Sequence, residues 1–403
     1  MSDDAKGSAP PVYGEPPLLG SEPKTVWVDG APLPTAILPI AERLHVDERY
    51  AGRDVTAAFL DAGFYAHPDL TEPKNRIHFY QDLLLGRSGL ERIQTPNPSM
   101  WHGMMTSTVA AGNGFLSDGR YRSLAPEMDL VLVKIGRMSR IKHQDIARGL
   151  EWVLRHKDDY GIRIVNISAG GDFDASYLHD PICEAAEACV RAGIVVVCAV
   201  GNAAGGRNRV IPPANAPSVI TVGGLNDHGD PSLGRMGTYW SCYGPTLDGL
   251  QKPEIIAPAI WVVAPILPET PTAAQAELLE KLSLAEDDDL VDLVKKNRGI
   301  IPALDDAPGD QPYMLRQLVD AQLRDQKVIS GAYKHVDGTS FAAPIVTSIV
   351  AQMLEANPAL KPHEVKRILI DTARRLPGVA VERQGWGLVQ PAAAIREAER
   401  LRR

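Results

Sequence analysis

The sequence predicts an α/β fold, a mostly parallel central sheet with helices on both faces, interrupted by a small helical insertion. Short apolar runs alternate with stretches of helical length and periodicity, the order expected of right-handed strand-helix-strand crossovers. Those runs are continuous rather than alternating, which suits strands buried on both faces. Between about residues 267 and 330 the pattern changes to helices around an acidic cluster. With 403 residues, 44% of them hydrophobic and 23% charged, the chain can bury one large core or two ordinary ones.

Residues 1–34 are rich in Pro, Gly, Ser and charge and read as an extended or mobile arm ahead of a domain over 35–403. Val55-Thr56-Ala57-Ala58-Phe59-Leu60-Asp61 is a strand that ends in a carboxylate, and Ala62-Gly63 turns the chain away. Function in open α/β sheets gathers at the carboxyl ends of strands, so Asp61 is either a functional group or a turn residue. A loop-rich segment with His67-Pro68-Asp69-Leu70 follows. Then come Trp101-His102-Gly103-Met104-Met105 and a small-residue helix over 106–111. Gly103 permits close approach of another backbone. His102 is either structural or presents its ring into a cleft.

Strands are expected at 130–135, 162–168, 194–200 and 219–222, and helices at 144–155 and 182–192. The strand at 162–168 runs into Ala169-Gly170-Gly171. The most apolar strand, 194–200, ends in Gly201-Asn202, which sets the Asn202 amide at the sheet's carboxyl edge as a turn residue or as a donor to a developing oxyanion. The insertion, at about 267–330, carries Glu286-Asp287-Asp288-Asp289 and helical periodicity at 274–282, 289–296 and 312–324. Pro312 sits at a plausible first helical position, and Pro302, Pro308 and Gly309 act as punctuation. Its charges read by default as solvated surface.

The stretch Asp337-Gly338-Thr339-Ser340-Phe341-Ala342-Ala343-Pro344 opens a buried apolar helix over 345–354. Gly338 allows a tight turn, and Pro344 falls early enough for its missing N–H to be tolerated. Ser340 lies in the first turn, where backbone N–H groups are unpaired and the dipole is positive. It is either an N-cap or an exposed nucleophile. Helices over 362–373 and at the C-terminus flank Gly385-Trp386-Gly387-Leu388.

A net charge of −8 argues against nucleic acid or anionic membrane as the main partner. Cys183, Cys189, Cys198 and Cys242 show no C-x-x-C spacing and read as reduced core residues. The acidic Met1-Ser2-Asp3-Asp4 opening lacks a signal-peptide core, and no apolar run is long enough for a bilayer. The expected compartment is the cytoplasm.

An Asp, a His and a Ser at element edges, with an Asn between the last two, are the parts of acyl-transfer chemistry. In this chain Asp61, His102 and Ser340 fall in the order known for subtilisin. The chain resembles a subtilisin-like serine protease, family S8. Four stretches carry the resemblance: Val55 to Gly63, His102-Gly103 to Ala111, Ala199-Val200-Gly201-Asn202, and Gly338 to Pro344. Lys252-Pro253-Glu254-Ile255-Ile256-Ala257-Pro258 and Gly385 to Leu388 add to it.

The resemblance implies a three-layer αβα subtilisin-like fold and a serine endopeptidase with triad Asp61, His102 and Ser340 and oxyanion donor Asn202. Peptide substrate would pair between Lys134-Ile135-Gly136-Arg137 and Ser168-Ala169-Gly170, with Ser168 to Gly170 and Ala199 to Gly201 walling the pocket for the side chain before the scissile bond. No cofactor is required. A structural calcium is possible in the loop Gly112 to Ser123, with Asn113 and Asp118 as ligands. Departures are Ala62, Met105, Ser107, Asp337 and Ile345, none of which removes a catalytic group. The expected role is a regulated intracellular processing protease whose insertion docks a protein partner or shields the cleft and whose arm restrains the site. The alternative is an inactive binding protein or scaffold on the same fold.

Overall fold

The computed structural model describes residues 37–137, 140–203, 209–305 and 311–402. The arm expected over 1–34 lies outside the described residues, as do Pro308 and Gly309. A nine-stranded sheet organises the chain. Its parallel strands are β1 (Thr56–Asp61), β2 (Ile77–Asp82), β3 (Asp129–Lys134), β4 (Ile162–Ile167), β5 (Val195–Ala199), β6 (Ile220–Asn226) and β7 (Ile255–Pro258). They lie in the order β7-β6-β5-β4-β1-β3-β2. From β1 the chain crosses to β2, returns to β3 between β2 and β1, then passes to the other side of β1 and winds outward through β4 to β7. The strand order therefore reverses at β1, whose carboxyl end is Asp61.

Alternate side chains of the central strands enter two different cores, which is why those strands are mostly apolar on both faces. Ala57, Phe59, Leu130, Leu132, Val195 and Val197 face one core, shared with the helices Trp101–Ala111 and Thr339–Ala356. Ala58, Leu60, Val131, Val133, Val196 and Cys198 face the other, under His143–His156 and Pro181–Arg191. Each large side chain so buried contributes about 1.5–3 kcal/mol relative to exposure. The cysteines are buried thiols, as their spacing suggests.

The structure adds strands that the sequence hides. β2 has a mixed polar pattern because its far neighbour is only the two-residue strand Arg87–Ser88. β7 begins two residues after Pro253 and ends in Pro258. β6 runs four residues past the expected end, through Gly223 and Gly224. There a side chain would strike Pro253, Ala259 or Tyr239.

The strands Val262–Pro265 and Tyr333–Val336 pair antiparallel, with Val262 opposite Val336. Between them the chain makes the helices Pro271–Leu284, Asp287–Lys296, Pro302–Asp305 and Pro312–Asp325. Leu279, Leu282, Leu290, Leu304, Leu315 and Val319 give these helices an apolar cluster of their own.

Lys252 and Glu254, at the head of β7, are buried, and the partly buried Lys366 joins them. Glu254 Oε1 lies 2.6 Å from both ammonium groups, and Glu254 Oε2 accepts the Thr221 N–H at 2.8 Å. Burial opposes the Glu254 charge, but the two lysines overcome it and hold the carboxyl below its ordinary value. Burial pulls Lys252 down to about 8. Replacing Glu254 by Gln leaves two cations facing a neutral group, so unfolding in urea should show a loss of about 3–5 kcal/mol. A loss under 1 kcal/mol would contradict this account of the cluster.

Candidate active site

Asp61 ends the central strand with its carboxylate buried, and three groups bond to it. The Ala62 N–H donates to Oδ1 at 2.7 Å, and the Thr106 hydroxyl donates to Oδ2 at 3.2 Å. His102 Nδ1 lies 2.9 Å from Oδ1 and 2.8 Å from Oδ2. His102 stands in the first turn of the helix Trp101–Ala111, which begins earlier than the run of small residues suggests. That helix reaches Asp61 because Gly103 has no side chain. A methyl group there would lie 2.1 Å from the Gly63 carbonyl oxygen and 2.9 Å from the Phe64 ring. Thr106 follows His102 by one helical turn and therefore shares its face, a spacing visible in the sequence. Burial opposes protonation of His102. The charge of Asp61 and its hydrogen bond exceed that effect and hold the imidazole above its ordinary value.

Ser340 is the second residue of the helix Thr339–Ala356, after Gly338 at φ 136°, a conformation that favours glycine. Pro344 is deeper in this helix than its early position suggests, at the sixth residue rather than in the first turn. Its missing N–H would have bonded the Ser340 carbonyl, four residues back. The Ser168 hydroxyl supplies that hydrogen bond instead, at 2.8 Å. Ser168 in turn accepts from Asn166 Nδ2 at 3.3 Å, and Asn166 Oδ1 accepts from the Thr347 hydroxyl at 3.0 Å. The Ser340 hydroxyl makes a long bond of 3.4 Å to the Ser168 carbonyl. Phe341, next to Ser340, has its ring centroid 6.2 Å from that of His102. Nothing in the local sequence ties Asn166 or Thr347 to Ser340.

Asn202 is exposed, and its Oδ1 accepts from both the N–H and the hydroxyl of Thr339 at 3.0 Å. With the oxygen so held, the amide nitrogen is the end left for a ligand. A bridge to Ser241 and the Ala203 N–H bond to Trp240 fix the segment.

The candidate substrate edges leave the strands on either side of β1. Lys134 pairs with Asp61 in register and binds Asp82 Oδ2 at 3.0 Å. The Ile135 side chain is core, and its N–H donates to the Asp61 carbonyl at 2.8 Å. Gly136 pairs with Ile141 in a short hairpin, against Ala62, where a side chain would clash at 2.7 Å. Ser168, Ala169 and Gly170 follow β4, with Gly170 close to Ile211. Ala199 ends β5, and Gly201 has φ 100°.

In the loop from Gly112 to Ser123, where the sequence offers Asn113 and Asp118 as calcium ligands, Asn113 is turned onto its own surroundings. Asn113 Nδ2 donates to the Glu72 carbonyl at 2.6 Å, and its Oδ1 accepts the Phe115 N–H at 3.0 Å. Asp118 is exposed. The nearby buried carboxylate, Asp69, is taken by the Tyr333 hydroxyl at 2.7 Å and the Leu116 N–H at 3.2 Å. Among the described residues no group of three or more His, Cys, Asp or Glu side chains could hold a metal.

A model of the Subtilase family matches residues 52–387. The chain is 30% identical to Serine protease AprX of Bacillus subtilis (strain 168) over 79% of its own length and 61% of AprX. It is 31% identical to the Major intracellular serine protease of the same organism, over 43% of this chain and 52% of that protein. The chain thus spans about half to three fifths of these relatives. The structure is similar to that of the CspB protease of Clostridium perfringens, with a TM-score of 0.63 at 15% identity over 89% of this chain and 96% of that one. Fervidolysin of Fervidobacterium pennivorans gives 0.59 at 22% identity over 89% and 45%.

Because Asp61 raises the His102 pKa while burial lowers it, Asp61→Asn should drop His102 below the ordinary imidazole value of about 6.5 in an NMR titration. An unchanged or higher value would contradict the electrostatics described.

Proposed function

The chain belongs to the subtilase family, and from that premise we propose that it is a serine endopeptidase that works through Ser340, His102 and Asp61. One observation carries the reading. A histidine in the first turn of a buried helix has its Nδ1 2.8 Å from a buried carboxylate, on the face of the sheet where the Ser340 helix also packs. Nδ1–H bonded to Asp61 leaves Nε2 with the lone pair that a general base needs. Ser340 Oγ attacks the peptide carbonyl while Nε2 takes its proton. The charge that forms on His102 is opposed across the ring by Asp61. The imidazolium then protonates the leaving amine, an acyl-enzyme remains, and water reverses the steps.

Negative charge on the attacked oxygen needs donors. The Asn202 amide nitrogen and the Ser340 N–H at the helix start would supply them, the first oriented by Thr339. Substrate would bind as an extended strand between the two edges. The Arg140–Ile141 strand takes one side of Gly136–Arg137, which leaves the other for a peptide, and Ser168–Gly170 would face it. The raised His102 pKa sets the pH dependence: the base is neutral only above it, so activity should rise with pH through that value. An intracellular setting for the protein is part of the proposal, supported by its likeness to the intracellular relative.

Digestion of a peptide library by wild type and Ser340→Ala side by side tests the reading. Cleavage should vanish in the variant, and Asn202→Ala should lower kcat by about 10²–10³ with little change in KM, as is known for the subtilisin asparagine. Undiminished cleavage by Ser340→Ala would overturn it.

A further inference from the structure

The helical insertion reaches the turn that carries Ser340 through one side chain. Lys327 follows the last insertion helix, Pro312–Asp325, and takes a left-handed conformation with φ 56°. Its ammonium group bonds Asp337 Oδ2 and lies 4.5 Å from the centroid of the Trp261 ring. The other oxygen, Asp337 Oδ1, accepts the Trp261 N–H at 2.8 Å. Both partners of the ion pair are well covered, with side-chain exposures of 13% and 16%, so solvent screens the pair less than a surface pair. The backbone joins the same elements. The His335 N–H donates to the Lys327 carbonyl at 2.8 Å, and the Gly338 N–H donates to the Ala259 carbonyl at 2.7 Å. Arg43 donates to the carbonyls of Ile260 and Trp261, each at 2.9 Å, and is itself paired with Asp227. Residues 259–261 thus form a held platform, and Lys327 clamps Asp337 onto it. Two peptide bonds beyond Asp337, Thr339 orients Asn202, and the next residue is Ser340.

We propose that Lys327 is a positioning residue for Ser340, and that through the Lys327–Asp337 pair the insertion governs how the nucleophile and Asn202 meet. Anything that moves the last insertion helix then alters turnover without entering the cleft. The inference rests on Ser340 being the nucleophile, as proposed above. A misplacement of about 1 Å at a reacting group can lower a rate by about 10², so loss of the clamp should show in kcat rather than in KM.

The test compares Lys327→Met, Lys327→Arg, Asp337→Asn and the Lys327→Met/Asp337→Asn double variant with wild type. It reads kcat and KM on one peptide, the rate of labelling by a fluorophosphonate probe, and the thermal midpoint. Lys327→Met should lower both kcat and the labelling rate by about tenfold, with KM within about twofold. Lys327→Arg should retain most of both rates, and the double variant should lose no more than Lys327→Met alone, since the pair acts as a unit. Wild-type kcat and labelling in Lys327→Met, even with a lower thermal midpoint, would overturn the proposal and leave Lys327 a structural residue. Should Lys327→Met not fold, Asp337→Asn is held to the same limits. If wild type and Ser340→Ala label equally, it is the reading of Ser340 that fails, and this outcome is distinct from the others.

Discussion

A carboxylate buried at the end of the central strand constrains everything around it. Asp61 has only 1% of its surface exposed, and a charge so placed must find donors or be lost to protonation. Three groups answer: the next residue's N–H, the Thr106 hydroxyl and the His102 ring. Two of them come from one helix, which therefore has to sit against the Gly63 turn, and only glycine at position 103 permits that approach. The sheet order serves the same need. Because β1 lies between β3 and β4, the segments leaving those strands flank Asp61 and create the two edges proposed for a substrate.

Ser340 is held by a second, mostly neutral network. A proline inside a helix ordinarily leaves a carbonyl without its donor, at a cost of about 3 kcal/mol or more. Here the orphaned carbonyl belongs to Ser340, and the Ser168 hydroxyl satisfies it from the end of β4. The defect in the helix thus becomes a tie between the proposed nucleophile and the proposed substrate edge, with Asn166 and Thr347 orienting the hydroxyl. On the other side Thr339 ties the same turn to Asn202, and Asp337 ties it to Lys327. The turn is over-determined from three directions, the preorganisation that a developing charge requires.

Much of this was legible in the sequence, for reasons that differ by element. β1, β3, β4 and β5 announce themselves because burial on both faces makes their residues mostly apolar instead of alternating. The motifs around Asp61, His102, Asn202 and Ser340 were visible because glycines and small residues mark tight turns and close approaches. β2 was hidden by its half-exposed polar positions and β7 by the prolines before it and at its end. The hairpin strands Val262–Pro265 and Tyr333–Val336 were hidden because the whole insertion separates them. Ser168 was read only as a substrate edge and pocket wall, since its bond to Ser340 spans 172 residues. Asn113 was read as a possible ion ligand because polar loop residues look alike in sequence, whether they bind an ion or, as its hydrogen bonds show here, neighbouring backbone groups.

The central claim is that Asp61, His102 and Ser340 act as one unit at the rim of the sheet. The most direct measurement is to map by mass spectrometry where a fluorophosphonate adduct forms, and to time its formation in wild type and in His102→Ala. The account predicts a single adduct on Ser340 that forms slower by about 10³ or more without the imidazole, because the hydroxyl then has no base. An adduct on another residue, or equal rates in the two proteins, would contradict it.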